Sequence, residues 1–296
     1  MRGHHSIIGH SVHQPILAGL RLAAIVLLTL ALAPCHALAQ RLSGGKNRRI
    51  AALWHAGVCL VAGLRIKVTG CVHRIGPTLY VCNHSSYTDI PVLGVVLNAR
   101  FVAKQDVAAW PGIGFLARLG GTIFVARQRM RSRGETYAIT HALGQGGRLI
   151  LFPEGTSNDG NRVLPFKSAF FAPAEAPING QWVTVQPVAI TYTQMDGLPI
   201  NRLSRPSVAW YGHMDLMPHL WAFLQLGRVT VHVDVMPPVS KTSHQSRKEL
   251  AKHCHQLINC ISAHRRSEGS SHVPDVAPQP AQLPAEAALE RADRMG

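Results

Sequence analysis

The chain has 296 residues, 47% of them hydrophobic, and a formal net charge of +15. That is enough apolar material for a real core, which excludes a disordered chain or a disulfide-stapled miniature. The positive balance draws the surface towards anions, whether nucleic acid, anionic lipid or an acidic protein, without choosing among them.

The charge is unevenly spread. No Asp or Glu precedes Asp89, whereas Arg2, Arg21, Arg41, Lys46, Arg48 and Arg49 all lie in that stretch. The last thirty or so residues are acidic, with Glu268, Asp275, Glu286, Glu290 and Asp293. The six cysteines include no C-x-x-C pair and read as reduced, mostly buried small hydrophobes.

Residues 1–15 are polar and His-rich and read as a leader without fixed structure. Residues 16–39 form the most apolar stretch, close to the roughly 20 residues a spanning helix needs. Arg21 intrudes on it, and Pro34 and His36 weaken its end. A membrane helix, spanning or partly inserted, is the main reading. A cleaved signal peptide ending at Ala37-Leu38-Ala39 and a buried core helix are the alternatives. The cluster Arg41, Lys46, Arg48 and Arg49 follows the segment while only Arg2 precedes it, which places the main domain in the cytoplasm. Residues 50–64 are a second apolar run, read as a helix at a membrane interface or in the core.

From there strands and helices alternate. Residues 65–69, 78–82, 101–104, 122–127, 148–152, 183–192, 207–212 and 229–235 read as strands. Residues 87–97, 106–119 (broken near Pro111-Gly112), 130–143 and 246–264 read as helices. The expected fold is α/β: a mixed, largely parallel sheet flanked by helices and preceded by N-terminal membrane-associated helices. We divide the chain into a leader and anchoring helix (1–45), a main domain (46–266) and a disordered Pro/Ala-rich acidic tail (267–296).

Three segments carry chemistry. Asn83-His84-Ser85-Ser86-Tyr87-Thr88-Asp89 follows a strand and opens a helix. A carboxylate can hold a histidine in one tautomer and stabilise its imidazolium. Five helical steps would turn the two side chains about 140° apart, so the pair meets only if His84 lies in the turn and Asp89 in the first turns of the helix. Taken alone, H-x4-D is weak evidence. Phe152-Pro153-Glu154-Gly155-Thr156 closes another strand, with Gly155 permitting a tight turn and Glu154 suited to orienting an Arg or accepting from a hydroxyl. Arg127 and Lys104 end two further strands and are candidate anion contacts, although a plain surface Arg fits equally with Arg129, Arg131 and Arg133 nearby.

Taken in order, H-x4-D, the strand-ending Arg, F-P-E-G-T and V-x-P-V-A-I (residues 185–190) resemble the glycerophospholipid acyltransferase family, typified by lysophosphatidate acyltransferase. The resemblance runs from about residue 65 to about 190. It implies that His84 is the general base and that Asp89 orients it. It implies that Arg127, Glu154, Gly155 and Thr156 bind the acceptor's headgroup and that the region of Pro187 shapes the pocket; Lys104, at its strand's end, could add a second cation. The donor would be acyl-CoA or acyl-carrier protein, no metal or other cofactor would be needed, and the enzyme would sit on membrane lipids at the cytoplasmic face of the inner membrane. The main reading is acyl transfer to 1-acyl-sn-glycerol-3-phosphate, giving phosphatidate.

Two departures bear on the acceptor. Ser157 stands where many lysophosphatidate acyltransferases have Arg after E-G-T, and Phe166-Lys167-Ser168-Ala169 lacks the usual Gly. The run from Phe152 to Phe171 resembles the lyso-ornithine lipid acyltransferase branch, whose acceptor has no phosphate; that is the alternative reading. No G-x-S-x-G elbow is present, which opposes a serine hydrolase. His253-Cys254-His255 would point apart on a helix and make no zinc site. A nucleic-acid binder lacks both a recognition motif and basic–aromatic interleaving, and the cations flank apolar helices instead.

Overall fold

The computed structural model describes residues 14–45, 47–125, 133–239 and 246–268. Its centre is an eight-stranded sheet: β1 (Leu64–Gly70), β2 (Thr78–Cys82), β3 (Arg100–Lys104), β4 (Ile123–Val125), β5 (Arg148–Leu151), β6 (Thr184–Met195), β7 (Leu198–Pro199) and β8 (Val229–Val235). The order is β1-β8-β6-β2-β5-β3-β4, with β7 hairpinned onto β6. Strands β6, β2, β5, β3 and β4 are all parallel, and β8 runs antiparallel to β6 with β1 parallel to β8. The sheet is thus mixed and largely parallel, as expected.

Both faces are covered, so the strands alternate between two cores rather than between core and solvent. In β2, Tyr80 and Cys82 join the core beneath α1 (Pro15–Leu42), α2 (Arg49–Val61), α3 (Asp89–Leu97) and α6 (Leu216–Leu224). Leu79 and Val81 face the opposite core, which α5 (Arg133–Gly144) and α7 (Arg247–Glu268) complete. The helix expected over 106–119 is divided at Pro111-Gly112 into a 3-10 turn (Gln105–Ala109) and α4 (Ile113–Leu119). Gly112 takes a φ of 68°, outside the helical region, which makes the break.

Helix α1 runs unbroken through Pro34 and is not a separate unit. Ala18 is buried in the same core as the strands, with Leu22 and Ile25 packed against it. Arg21, the apparent intruder, spends its guanidinium on the carbonyls of Leu224, Leu226 and Gly227, just past the end of α6. Further along, Trp54 Nε1 donates to Thr29 Oγ1 at 2.8 Å and His36 is buried. One stripe of α1 is therefore fastened to the domain, while Leu20, Leu27, Leu30 and Leu38 on the rest of its surface are exposed.

Two expectations are corrected. Residues 207–212 are not a strand: a 3-10 turn at Arg205–Ser207 leads into irregular chain, and Trp210 N donates to Ser85 O at 2.8 Å instead of to a sheet neighbour. Helix α6 is unforeseen, because its sequence LMPHLWAFL is apolar without a polar face and carries a proline.

Candidate active site

The site lies where the parallel strands end. β2 pairs with β6 only as far as Cys82 opposite Val188, and β6 runs on to Met195. Asn83 fills the next rung with its side chain: its amide nitrogen donates to Ile190 O at 2.9 Å, and Ile190 N donates to its Oδ1 at 2.8 Å. A side chain thus continues the ladder for one step, and the backbone is released to turn at His84.

That turn brings His84 to Asp89, the first residue of α3. His84 Nδ1 lies 2.8 Å from Asp89 Oδ2, with the aspartate wholly buried and the histidine 20% exposed. This is the arrangement that helical geometry demands of an H-x4-D pair. Asp89 Oδ2 also accepts from Ser85 N at 2.8 Å and Ser86 N at 3.0 Å, and Oδ1 accepts from the Tyr192 hydroxyl at 2.7 Å. Burial first, and Asp89 second, push the Tyr192 phenol well above its ordinary range, so it stays a hydrogen-bond donor. With Nδ1 committed to Asp89, the ring offers Nε2. The imidazole stacks on Phe152, ring centroids 4.1 Å apart and planes 18° apart, which fixes its plane.

Glu154 is placed otherwise than a headgroup ligand requires. It is only 2% exposed. Its Oε1 accepts from His84 N at 2.8 Å, and its Oε2 accepts from Leu164 N at 2.9 Å and from the Asn158 side-chain amide. Asn158 returns both its backbone and side-chain N–H to His84 O, at 3.2 Å each. Glu154 therefore joins the loop after β5 to the catalytic turn. Burial raises its pKa to about 7, against the hydrogen bonds that lower it.

Gly155 has a φ of 71°, and a Cβ there would come within 2.6 Å of Lys167 Nζ. Lys167 lies directly over this loop, beside the exposed Thr156; it was not singled out as a site residue in the sequence, where it is one of many cations. Lys104 closes β3 in register with Val125 at the end of β4, so it stands on the same edge of the sheet with β5 between it and β2. Arg127 lies outside the described residues. Tyr192 also escaped sequence reading, being 103 residues from its partner on the overhanging end of β6. On α7, Cys254 is buried in the core while His255 Nε2 meets Val163 O at 3.2 Å, so these neighbours do point apart.

A buried carboxylate holds one ring nitrogen of a partly exposed histidine at the carboxyl edge of a parallel sheet, an arrangement able to take up a proton from a bound hydroxyl. The model of the family described as Acyltransferase matches residues 65–191, a span that holds His84, Asp89 and Glu154. The chain belongs to this acyltransferase family, and it is an acyltransferase. The relatives sharpen that. It is 42% identical over 243 residues to a lyso-ornithine lipid O-acyltransferase of Brucella abortus, covering 81% of this chain and 91% of that one. To the protein of the same description from Rhizobium meliloti it is 38% identical, covering 87% and 89%. A 1-acyl-sn-glycerol-3-phosphate acyltransferase of Neisseria gonorrhoeae is 28% identical, covering 74% and 82%. The crystal structure of the 1-acyl-sn-glycerophosphate acyltransferase PlsC from Thermotoga maritima shares the fold, with a TM-score of 0.54 at 20% identity over 82% of this chain and 97% of that one.

Proposed function

We propose that this enzyme transfers an acyl chain from an acyl thioester to the free hydroxyl of a lyso-ornithine lipid. The observation that carries the reaction is the His84–Asp89 pair, with Nδ1 held at 2.8 Å and Nε2 left for a hydroxyl proton. His84 takes that proton as the alkoxide forms its bond to the thioester carbonyl. Collapse of the tetrahedral intermediate expels the thiolate, which the His84 imidazolium reprotonates. No protein nucleophile is needed, because a thiolate leaves readily. Asp89 holds the tautomer and balances the imidazolium; Glu154 and Tyr192 position the pair without touching substrate.

The acceptor assignment rests on the relatives and on Ser157. The two lyso-ornithine lipid enzymes match at 42% and 38% identity, against 28% for the Neisseria phosphatidate-forming one. Ser157 removes a cation that a phosphate would use. 1-Acyl-sn-glycerol-3-phosphate is the second reading, favoured by the cations Arg127 and Lys104 in the sequence and by the exposed Lys167 beside Gly155, each of a kind that suits a phosphate. We assign the donor as acyl-CoA or acyl-carrier protein.

The place of action is the cytoplasmic face of the inner membrane. Helix α1 is long and apolar enough to cross a bilayer. Its fastening to the domain at Ala18, Arg21, Thr29 and His36 supports a helix lying side-on in one leaflet, with Leu20, Leu27, Leu30 and Leu38 in lipid. The deciding experiment offers purified enzyme a labelled acyl thioester with lyso-ornithine lipid and lysophosphatidate side by side. Ester formation on the ornithine lipid is expected to dominate; exclusive labelling of lysophosphatidate overturns the assignment.

A further inference from the structure

Helix α6 presents a surface that a water-facing helix does not carry. Its inner side packs Phe223 and Leu224 into the core, and His219 Nδ1 sits 3.0 Å from the Tyr87 hydroxyl, three residues from His84. Its outer side holds Met217, Pro218, Trp221 and Ala222, all exposed and none polar. A helix apolar on every side belongs in a core or in lipid. On α6 Met217 is 65% exposed and Trp221 40%, and other parts of the chain add Leu203 in the preceding loop at 87% and Phe115 on α4 at 59%. These side chains come from three separate stretches of chain, so no single sequence segment announces them.

Their arrangement gives them a common occupant. Helix α1 touches both α6 and α4. Arg21 ties its N-terminal half to the end of α6, and Leu32, Ala33 and His36 in its C-terminal half line the same apolar cavity as Ile113 and Leu116 of α4. The two flanks meet again beside the catalytic turn, where Trp110, just before α4, packs edge-to-face on Trp210, just before α6, with ring centroids 5.9 Å apart, and Trp210 packs on Tyr87. Exposed Arg202 adjoins Leu203 in sequence, and exposed Arg118 lies one helical turn from Phe115 on α4. Apolar side chains edged by arginines suit acyl chains under anionic headgroups, and an amphipathic Trp suits the boundary between them.

We infer that α6, with Leu203 and the outer side of α4, is a second bilayer-contact surface, separate from α1, that presses the mouth of the active site onto a leaflet containing anionic phospholipid. α1 supplies attachment; this surface sets orientation, so that a lipid acceptor reaches His84 without leaving the membrane. The inference rests on the reading of the substrate as a lipid but not on which lipid it is.

The test uses the full-length enzyme with α1 intact. In vesicles of phosphatidylglycerol and phosphatidylethanolamine, Trp221 emission, taken as wild type minus Trp221→Phe, is quenched by lipids brominated near the headgroup. The double variant Met217→Asp/Trp221→Asp still sediments with vesicles through α1, but loses about tenfold in turnover of acceptor embedded in them, while its rate on a short-chain acceptor dissolved as monomer is unchanged. Phe115→Asp gives a smaller loss in the same assay and shows that the effect is not particular to α6. An unquenched Trp221, equal turnover of embedded acceptor by wild type and double variant, or a wild-type dimer that the double variant dissolves would each overturn the inference, the last by making the surface a protein interface. A wild type that turns over neither acceptor form sinks the proposed function instead, and the quenching still decides the surface.

Discussion

Around His84 the polypeptide is fully committed, whereas Thr156 and Lys167 on the loop after β5 stand exposed. His84 N goes to Glu154, His84 O to Asn158, Ser85 N and Ser86 N to Asp89, and Ser85 O to Trp210. Two residues beyond Glu154, Thr156 is exposed, with only its neighbour's carbonyl 3.3 Å from its hydroxyl, and Lys167 stands above it in the open. The His84 turn is held from several directions at once, whereas the side chains of Thr156 and Lys167 are turned outward. Such a division lets the headgroup change among relatives while the chemistry stays in place.

The largest expected effect tests the closed half. His84→Ala removes the base, and acyl transfer should fall by about 10²- to 10⁴-fold. Steady-state rates with labelled thioester check this, and melting and vesicle binding should match wild type. Activity within about threefold of wild type would remove His84 from the mechanism.

A middle-sized effect tests the join between the halves. Gln at position 154 cannot accept on both terminal atoms, so Glu154→Gln should lower kcat by about ten- to a hundredfold, since it cannot accept from His84 N on one side and from Leu164 N and Asn158 on the other. It should also change how stability follows pH. Burial raises the Glu154 pKa from 4.5 to about 7 in the folded protein. Between those values the folded state holds a proton that the unfolded chain has released. The group's contribution is therefore fully present below about pH 4.5 and is lost as pH rises to about 7, a change of order 3 kcal/mol. Melting temperatures from pH 4.5 to 7.5 should show that slope in wild type and not in Glu154→Gln; parallel curves would mean the carboxyl is not desolvated as its surroundings indicate.

The smallest effect belongs to the open half. Lys167→Ala should raise the acceptor's KM about three- to tenfold with kcat nearly unchanged, because it removes binding rather than proton transfer. The loss should be larger with lysophosphatidate than with lyso-ornithine lipid. A fall in kcat alone would move Lys167 into the closed half.

The sequence was most legible where structure is local. Strands β2 and β5 end within a residue of expectation, and the turn–helix geometry of His84 and Asp89 follows from their spacing read together with the strand before them and the helix after. It was least legible where a residue's role depends on distant chain. Tyr192 reaches Asp89 only because β6 outruns β2, and nothing near Tyr192 announces that overhang. Glu154 looks like a ligand in its own loop and becomes a brace only when Asn158, Leu164 and His84 surround it. Residues 207–212 have strand-like composition, but no edge of the sheet is there to receive them. Helix α6 lacks the polar face by which a surface helix is usually found, and the sheet order is not written in any one segment.

Arg21 carries a consequence for how the protein is made. Its guanidinium is satisfied by carbonyls more than 200 residues further along the chain, as the 203-residue separation to Leu224 shows. At roughly 5–20 residues per second, the ribosome needs on the order of ten to forty seconds to deliver them. Through that interval an apolar segment emerges with an unpaired cation in its first half, which weakens it as a substrate for full translocation across the bilayer. Arg21 thus ties the completed packing of α1 to synthesis of the segment that ends α6.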